Sequence, residues 1–167
     1  MITEVILVVT AAIFAVLDTT WFSNFAVFGV RPDFVVIILT FAAHRNGVQK
    51  GQIGGFITGL VEDGLSAAPL GFNALIRMAH SAVLGLTSGA IQGESFIVPA
   101  LLVFLAAVIR TAVAGFIAVI FRFDSVYQVV LTSETAVEIG MTTLAAVPMF
   151  LILNVLAAKL DRQGRTL

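Results

Sequence analysis

Seven ionisable side chains interrupt otherwise apolar stretches of this chain: Asp18, Glu62, Asp63, Arg77, His80, Arg110 and Glu138. In a low-dielectric setting such groups are costly unless they meet an opposite charge, so they mark ion pairs, proton relays, or sites for a ligand or partner. Glu62 and Asp63 stand side by side at the end of "GQIGGFITGLVED", with Arg77 and His80 one turn apart on a common face further on. Two readings of Asp18, Glu62, Asp63, Arg77, His80 and Glu138 stay open: a structural network that fixes helix register, or a site that binds a partner or small molecule. His80 alone is either a satisfied core histidine or a member of a proton relay.

Other chemistry is excluded at this level. The chain has no cysteine, which removes thiolate nucleophiles and sulfur-ligated metals. His44 and His80 are too far apart for a metal-ligand spacing. No nucleophile-and-base arrangement or phosphate-cradling loop occurs, so the expectation is a protein without catalytic activity, metal or cofactor.

The elements that must position these charges are membrane helices. Of 167 residues, 59% are hydrophobic and 11% charged, and the mean hydropathy is +1.07. A net charge of -1 with no aromatic-interleaved basic patch argues against nucleic acid. The start "MITEVILVV" lacks a basic leader region and reads as a retained first helix. Four spans of ordinary length follow from apolar runs of about 20 residues: 2–22, 72–91, 96–121 and 139–158. Two shorter pieces, 34–43 and 51–65, flank the polar turn "HRNGVQK". Arg45 and Lys50 in that turn would be costly at the bilayer centre, which favours two short crossings over a re-entrant hairpin. The expected fold is thus an all-α integral membrane protein of six transmembrane helices with short second and third members, in a single polytopic domain, 1–167. The segment 122–133 continues a helix or lies in the interface.

Lysine and arginine placement orients the bundle. With both termini cytoplasmic, the inner side carries Arg45, Lys50, Lys159, Arg162 and Arg165, and the outer side Arg31 and Arg122. The terminal "KLDRQGR" then serves as a cytoplasmic anchor or a contact for a cytosolic partner. Asp18, Glu62, Asp63, Arg77 and Glu138 all gather toward the outer leaflet. Arg77, about 7 to 8 Å down its helix, is level with Glu62 and Asp63, so an ion pair is expected there. Arg110 sits near mid-helix, and Glu138 is about 10 Å shallower, which leaves Arg110 without an evident partner.

At 100° per residue the third helix has two faces. Ile53, Phe56, Ile57, Leu60 and Val61 fall on one side; Gly51, Gly54, Gly55, Thr58, Gly59 and Glu62 fall on the other, with Asp63 on its flank. Gly51, Gly55 and Gly59 form a double small-xxx-small repeat, suited to close backbone approach inside the bundle or, less readily, to a homodimer face. Asp33, after Pro32, is read as the N-cap of the second helix.

"RPDFVVIILTFAAHRNG", "GGFITGLVEDGLS" and "PLGFNAL", in this order and spacing, resemble the MreD family of bacterial rod shape-determining proteins. The matching positions are Pro32, Asp33, Gly55, Phe56, Gly59, Leu60, Asp63, Leu70 and Gly71; Glu62 departs from the pattern, which has an apolar residue there. The resemblance implies a non-enzymatic scaffold of the elongasome in the bacterial inner membrane. Its implied partners are MreC, bound through transmembrane helices, and through MreC the MreB filaments, RodA and a class B penicillin-binding protein of lateral peptidoglycan synthesis. A second resemblance, in span count and in the Ala11/Ala15 spacing, is to the substrate-binding membrane subunits of energy-coupling-factor vitamin transporters. On that alternative the outer charges would bind a small molecule.

Overall fold

A computed structural model describes residues 2–20, 30–89, 97–121 and 132–164. These form six helices: α1 (Ile2–Thr20), α2 (Phe34–Asn46), α3 (Val48–Leu65), α4 (Phe72–Gly85), α5 (Ile97–Phe121) and α6 (Ser133–Gly164). The expected segment 122–133 lies outside the described residues apart from 132 and 133. The expected fourth span 72–91 stops as a helix at Gly85 and turns over 86–89, with 90 and 91 outside the described residues. The short helices are therefore α2 (13 residues) and α4 (14 residues), not α2 and α3 (18 residues).

The second helix decides the architecture. It is apolar on every side, with nine consecutive buried residues from Val35 to Ala43. A helix of that kind has no solvent or lipid face and must lie inside other helices. The remaining five surround it in the order α1, α3, α4, α5, α6, each touching its neighbours in the ring and each touching α2. The α1–α6 seam is the loosest contact of the ring.

Leu7, Ala11 and Ala15 of α1, Leu84 of α4, Leu102, Val103 and Ala106 of α5, and Ala146, Phe150, Leu153 and Ala157 of α6 pack around α2 in one apolar core. Phe41 and Phe150 meet edge to face at 5.3 Å.

Helix α3 contributes no residue to this apolar core and is held by glycine instead. A methyl group added at Gly59 would lie 2.4 Å from the Ala74 Cα, and one at Gly55 would lie 2.4 Å from the Arg77 carbonyl oxygen. At Gly51 it would meet Ala43 Cβ at 2.8 Å and the Ser81 carbonyl at 3.0 Å. Gly85 of α4 returns the contact, 2.6 Å from the Val48 Cα. The partners run in opposite directions along the two chains, so α3 and α4 form an antiparallel hairpin in near backbone contact. That is what small residues at four-residue spacing permit.

The polar turn is tighter than the sequence suggested. Helix α2 runs on through His44, Arg45 and Asn46, and α3 starts at Val48, so only Gly47 breaks the helix. Its φ of 85° lies in the region that glycine alone enters without strain. His44 and Arg45 in the last turn of α2 complement its negative end.

Helices α2 and α6 run the same way. At one end the Asp33 amide donates to Thr142 Oγ1 at 2.9 Å; at the other Arg45 pairs with Asp161. The first of these is termed the site end.

The exterior is oily. Val5, Val9 and Ile13 on α1, Ile53, Phe56 and Ile57 on α3, Leu101, Phe104 and Phe116 on α5, and Leu144, Ile152 and Val155 on α6 are all exposed, while Asp33, Asp63 and Arg77 are buried. Ionised groups inside and hydrocarbon outside invert the pattern of a water-soluble fold. Helix α5 and the Ser133–Asp161 stretch of α6 are long and apolar enough to cross a membrane.

Candidate functional site

Asp33 is placed by local chemistry. Its Oδ1 accepts from the Val36 amide at 2.9 Å, capping the first turn of α2, as expected. The cap turns the other oxygen toward the ring of helices. Oδ2 lies 2.9 Å from Arg77 Nη1 on α4 and 3.2 Å from Arg110 Nη1 on α5. Arg77 reaches Glu62 on α3 with two parallel bonds, Nε to Oε2 at 2.8 Å and Nη2 to Oε1 at 2.7 Å. Arg110 donates to Glu138 on α6 at 2.5 Å. One carboxylate therefore ties two arginines together, and the chain Glu62–Arg77–Asp33–Arg110–Glu138 links five helices.

Antiparallel geometry explains how Arg77 meets an acid so far along the hairpin. The Arg77 backbone is level with Gly55, two turns from Glu62. Side chains lean toward the N-terminus of their own helix, so Glu62 on α3 and Arg77 on α4 lean toward each other. The fork-to-fork geometry is the strongest form of this pair.

Asp63 has a different task. Its carboxylate accepts from the amides of Gly71 at 2.8 Å, Asn73 at 2.8 Å and Ala74 at 3.3 Å. It sits at the end of α3 and caps the start of α4, where the free amides and the positive end of the helix both favour an anion. Gly71 enters this turn with φ of 94°, which accounts for a glycine after Leu70.

The sequence expectations need four corrections. Arg77 pairs with Glu62 and Asp33, not with Asp63. Asp63 is the fully buried acid of the pair, at 5% exposure, rather than a flanking one. Arg110 does reach Glu138, on an α6 of 32 residues, about 48 Å, longer than a bilayer core. A helix of that length tilts, and depth counted along an upright axis overstates the separation. The glycine stripe is consumed within the hairpin, in keeping with the favoured reading of close approach inside the bundle. Ala11 and Ala15 are likewise buried, at 0% and 1% exposure, and cannot form the docking spacing of a transporter subunit.

His80 is fully buried one turn below Arg77, where Arg77, Asp33 and Arg110 are the charges that bear on it. Among the family-motif residues, Pro32, Asp33 and Gly71 build the site end, whereas Phe56, Leu60 and Leu70 are exposed. The role of Asp33 as hub was missed, since its cap reading uses only one of its two oxygens. Gly85 was missed because the helical projection was drawn for the third helix alone, although Ser81, Gly85 and Gly89 repeat at four-residue spacing.

Beside the network a cleft of about 290 Å³ opens at the site end, lined by Asp18, Arg31, Asp33, Arg77, Arg110 and Glu138 among others. Arg31 Nη1 donates to the Asp18 carbonyl at 2.6 Å and joins α1 to the approach of α2. The arrangement as a whole binds helices together and leaves a polar recess. The described residues contain no cluster able to hold a metal ion.

Comparison with known proteins bears on identity. No curated protein and no solved structure matches the chain, so the transporter-subunit likeness gains no support. The family described as rod shape-determining protein MreD matches over residues 1–160, nearly the full length and far beyond the motifs at 31–75. With an oily exterior, buried charges and helices able to span a bilayer around those motifs, the chain belongs to the MreD family of rod shape-determining membrane proteins.

Proposed function

We propose that the protein is a non-enzymatic scaffold of the elongasome, one domain crossing the bacterial inner membrane six times with both termini cytoplasmic. It presents a rigid helical surface to the transmembrane helix of MreC, and through MreC it is coupled to MreB filaments, RodA and a class B penicillin-binding protein during peptidoglycan synthesis. The observation that carries this reading is the clamp at Asp33. Ion pairs that tie α3, α4, α5 and α6 to the central α2, buried at Asp33 and Arg77, make a body that keeps its shape while its apolar exterior remains unpartnered.

The small-residue face of α3 is spent inside the bundle, so the surface offered to MreC is the outward stripes. On α5 these include Leu101, Phe104, Leu105 and Val108. Helix association in lipid rests on packing of such surfaces rather than on hydrophobic exclusion from water. Glu62, Asp63, Arg77 and Glu138 serve partner binding indirectly, by fixing the geometry of the surface.

Affinity purification of the tagged full chain from native membranes tests this. MreC is expected to follow it, and depletion in a rod-shaped host is expected to give round cells. Intact rods after depletion, or a preparation without MreC, would overturn the reading.

A further inference from the structure

We propose that the site-end cleft binds a small zwitterion, a primary ammonium joined to an oxyanion, of the kind carried by an ethanolamine phospholipid headgroup or by free phosphoethanolamine. Four observations converge on this chemistry, and none depends on the partnership with MreC.

Both signs of charge line the cleft: Asp18, Asp33, Glu134 and Glu138 with Arg31, Arg77 and Arg110. Its innermost charges, Asp33 and Arg77, are buried and ion-paired with each other, with Arg110 and with Glu62. The outer ones are not. Arg31 and Arg110 make their described bonds through Nη1 alone, which leaves Nε and Nη2 of each as donors for an oxyanion. On the acidic side, Asp18 Oδ1 is buried without a hydrogen-bond donor, and Glu134 has no ion-pair partner among the described residues.

The charge balance selects between ligand types. Asp18, Asp33, Glu134 and Glu138 line the cleft against Arg31, Arg77 and Arg110, an excess of one negative charge, and Glu62 behind Arg77 adds to it. An anion alone would enter against that excess. A cation alone would leave the arginine donors unanswered. A primary ammonium supplies three N–H donors to the carboxylates, whereas a choline group supplies none.

Size and place agree. About 290 Å³ is at the small end of ligand clefts, enough for a headgroup and too little for a folded partner. The cleft takes residues from α1 and α6, the loosest seam of the ring, in a protein whose exterior is made for lipid.

The test places the full chain in nanodiscs with equal mole fractions of ethanolamine, choline and glycerol phospholipids and reads retained lipid by native mass spectrometry. Ethanolamine lipid is expected to exceed each of the others by about tenfold, the loss of one or two charge-assisted bonds. Arg31→Gln and Glu134→Gln, which lie outside the buried network, are each expected to bring retention to parity; Glu134→Gln does so with an unchanged melting temperature, whereas Arg31→Gln also loses its bond to the Asp18 carbonyl. In lipid-free micelles, a rise in melting temperature with phosphoethanolamine assigns the site to a soluble zwitterion; retention of lipid without that rise assigns it to the headgroup. Equal retention of all three lipids with no response to phosphoethanolamine overturns the proposal. So does preference for the glycerol lipid, or an ethanolamine preference that survives both substitutions.

Discussion

At the scale of single residues, the adjacent acids Glu62 and Asp63 are separated by what each one holds. Glu62 neutralises Arg77 across the hairpin, and Asp63 satisfies backbone amides at the start of α4. Arg77→Ala is expected to cost about 3–5 kcal/mol, because Asp33 and Glu62 would remain buried with less compensation. Adding Glu62→Gln should recover part of that loss, since Asp33 keeps Arg110. Asp63→Ala should cost about 1–2 kcal/mol through its lost cap, and its effect should add to that of Arg77→Ala without recovery. Thermal unfolding in detergent of the three single variants, Glu62→Gln included, and the two double variants measures both cycles; recovery in the Asp63 cycle instead would place the pair on the wrong acid. A helical projection was enough to put the two acids on different bearings. It misjudged which was buried, because burial of Asp63 is decided by the turn from Ser66 to Gly71 folding back over it, and a projection of α3 alone contains no such turn.

At the scale of helices, the two faces of α3 were legible from its period, and the structure keeps Ile53, Phe56, Ile57 and Leu60 exposed while burying Gly51, Gly54, Gly55, Thr58 and Gly59. What the period cannot supply is the neighbour each face meets. Helix α2 has no distinct face at all, so its sequence gave no bearing from which to order the ring around it. The register of the α3–α4 hairpin is testable by adding single methyl groups. Gly55→Ala and Gly59→Ala would press against backbone atoms at 2.4 Å, which cannot yield as a flexible side chain would. Each should lower stability by about 1–3 kcal/mol, the usual cost of overpacking. Gly64→Ala, with nothing within 4 Å of the added carbon, should be neutral or slightly stabilising, since alanine is the better helix former. Fluorescence-detected size exclusion after a heating series ranks the three, and equal behaviour of Gly59→Ala and Gly64→Ala would rule out the close approach.

At the scale of the whole molecule, the two ends of the bundle differ in kind. The site end is held by buried charges, whereas the opposite end carries the exposed Arg45–Asp161 pair, whose side chains are 33% and 43% accessible and which is worth at most about 1 kcal/mol. The turn between α3 and α4 lies at the site end, and the Gly47 corner between α2 and α3 lies at the other. The proposed topology, six crossings with cytoplasmic termini, would put the first of these outside the cell and the second inside. The absence of cysteine from the chain makes this measurable, since any introduced thiol is the only one present. Ala67 and Gln49 are both exposed, one in each turn region. Ala67→Cys should react with a membrane-impermeant maleimide on intact spheroplasts, and Gln49→Cys only after the membrane is opened. The reverse pattern would invert the orientation drawn from the lysine and arginine count. Reaction of both from outside would mean that α2 and α3 do not together carry the chain across, and the ring of five helices about α2 would then sit in the bilayer with α2 and α3 entering from one side.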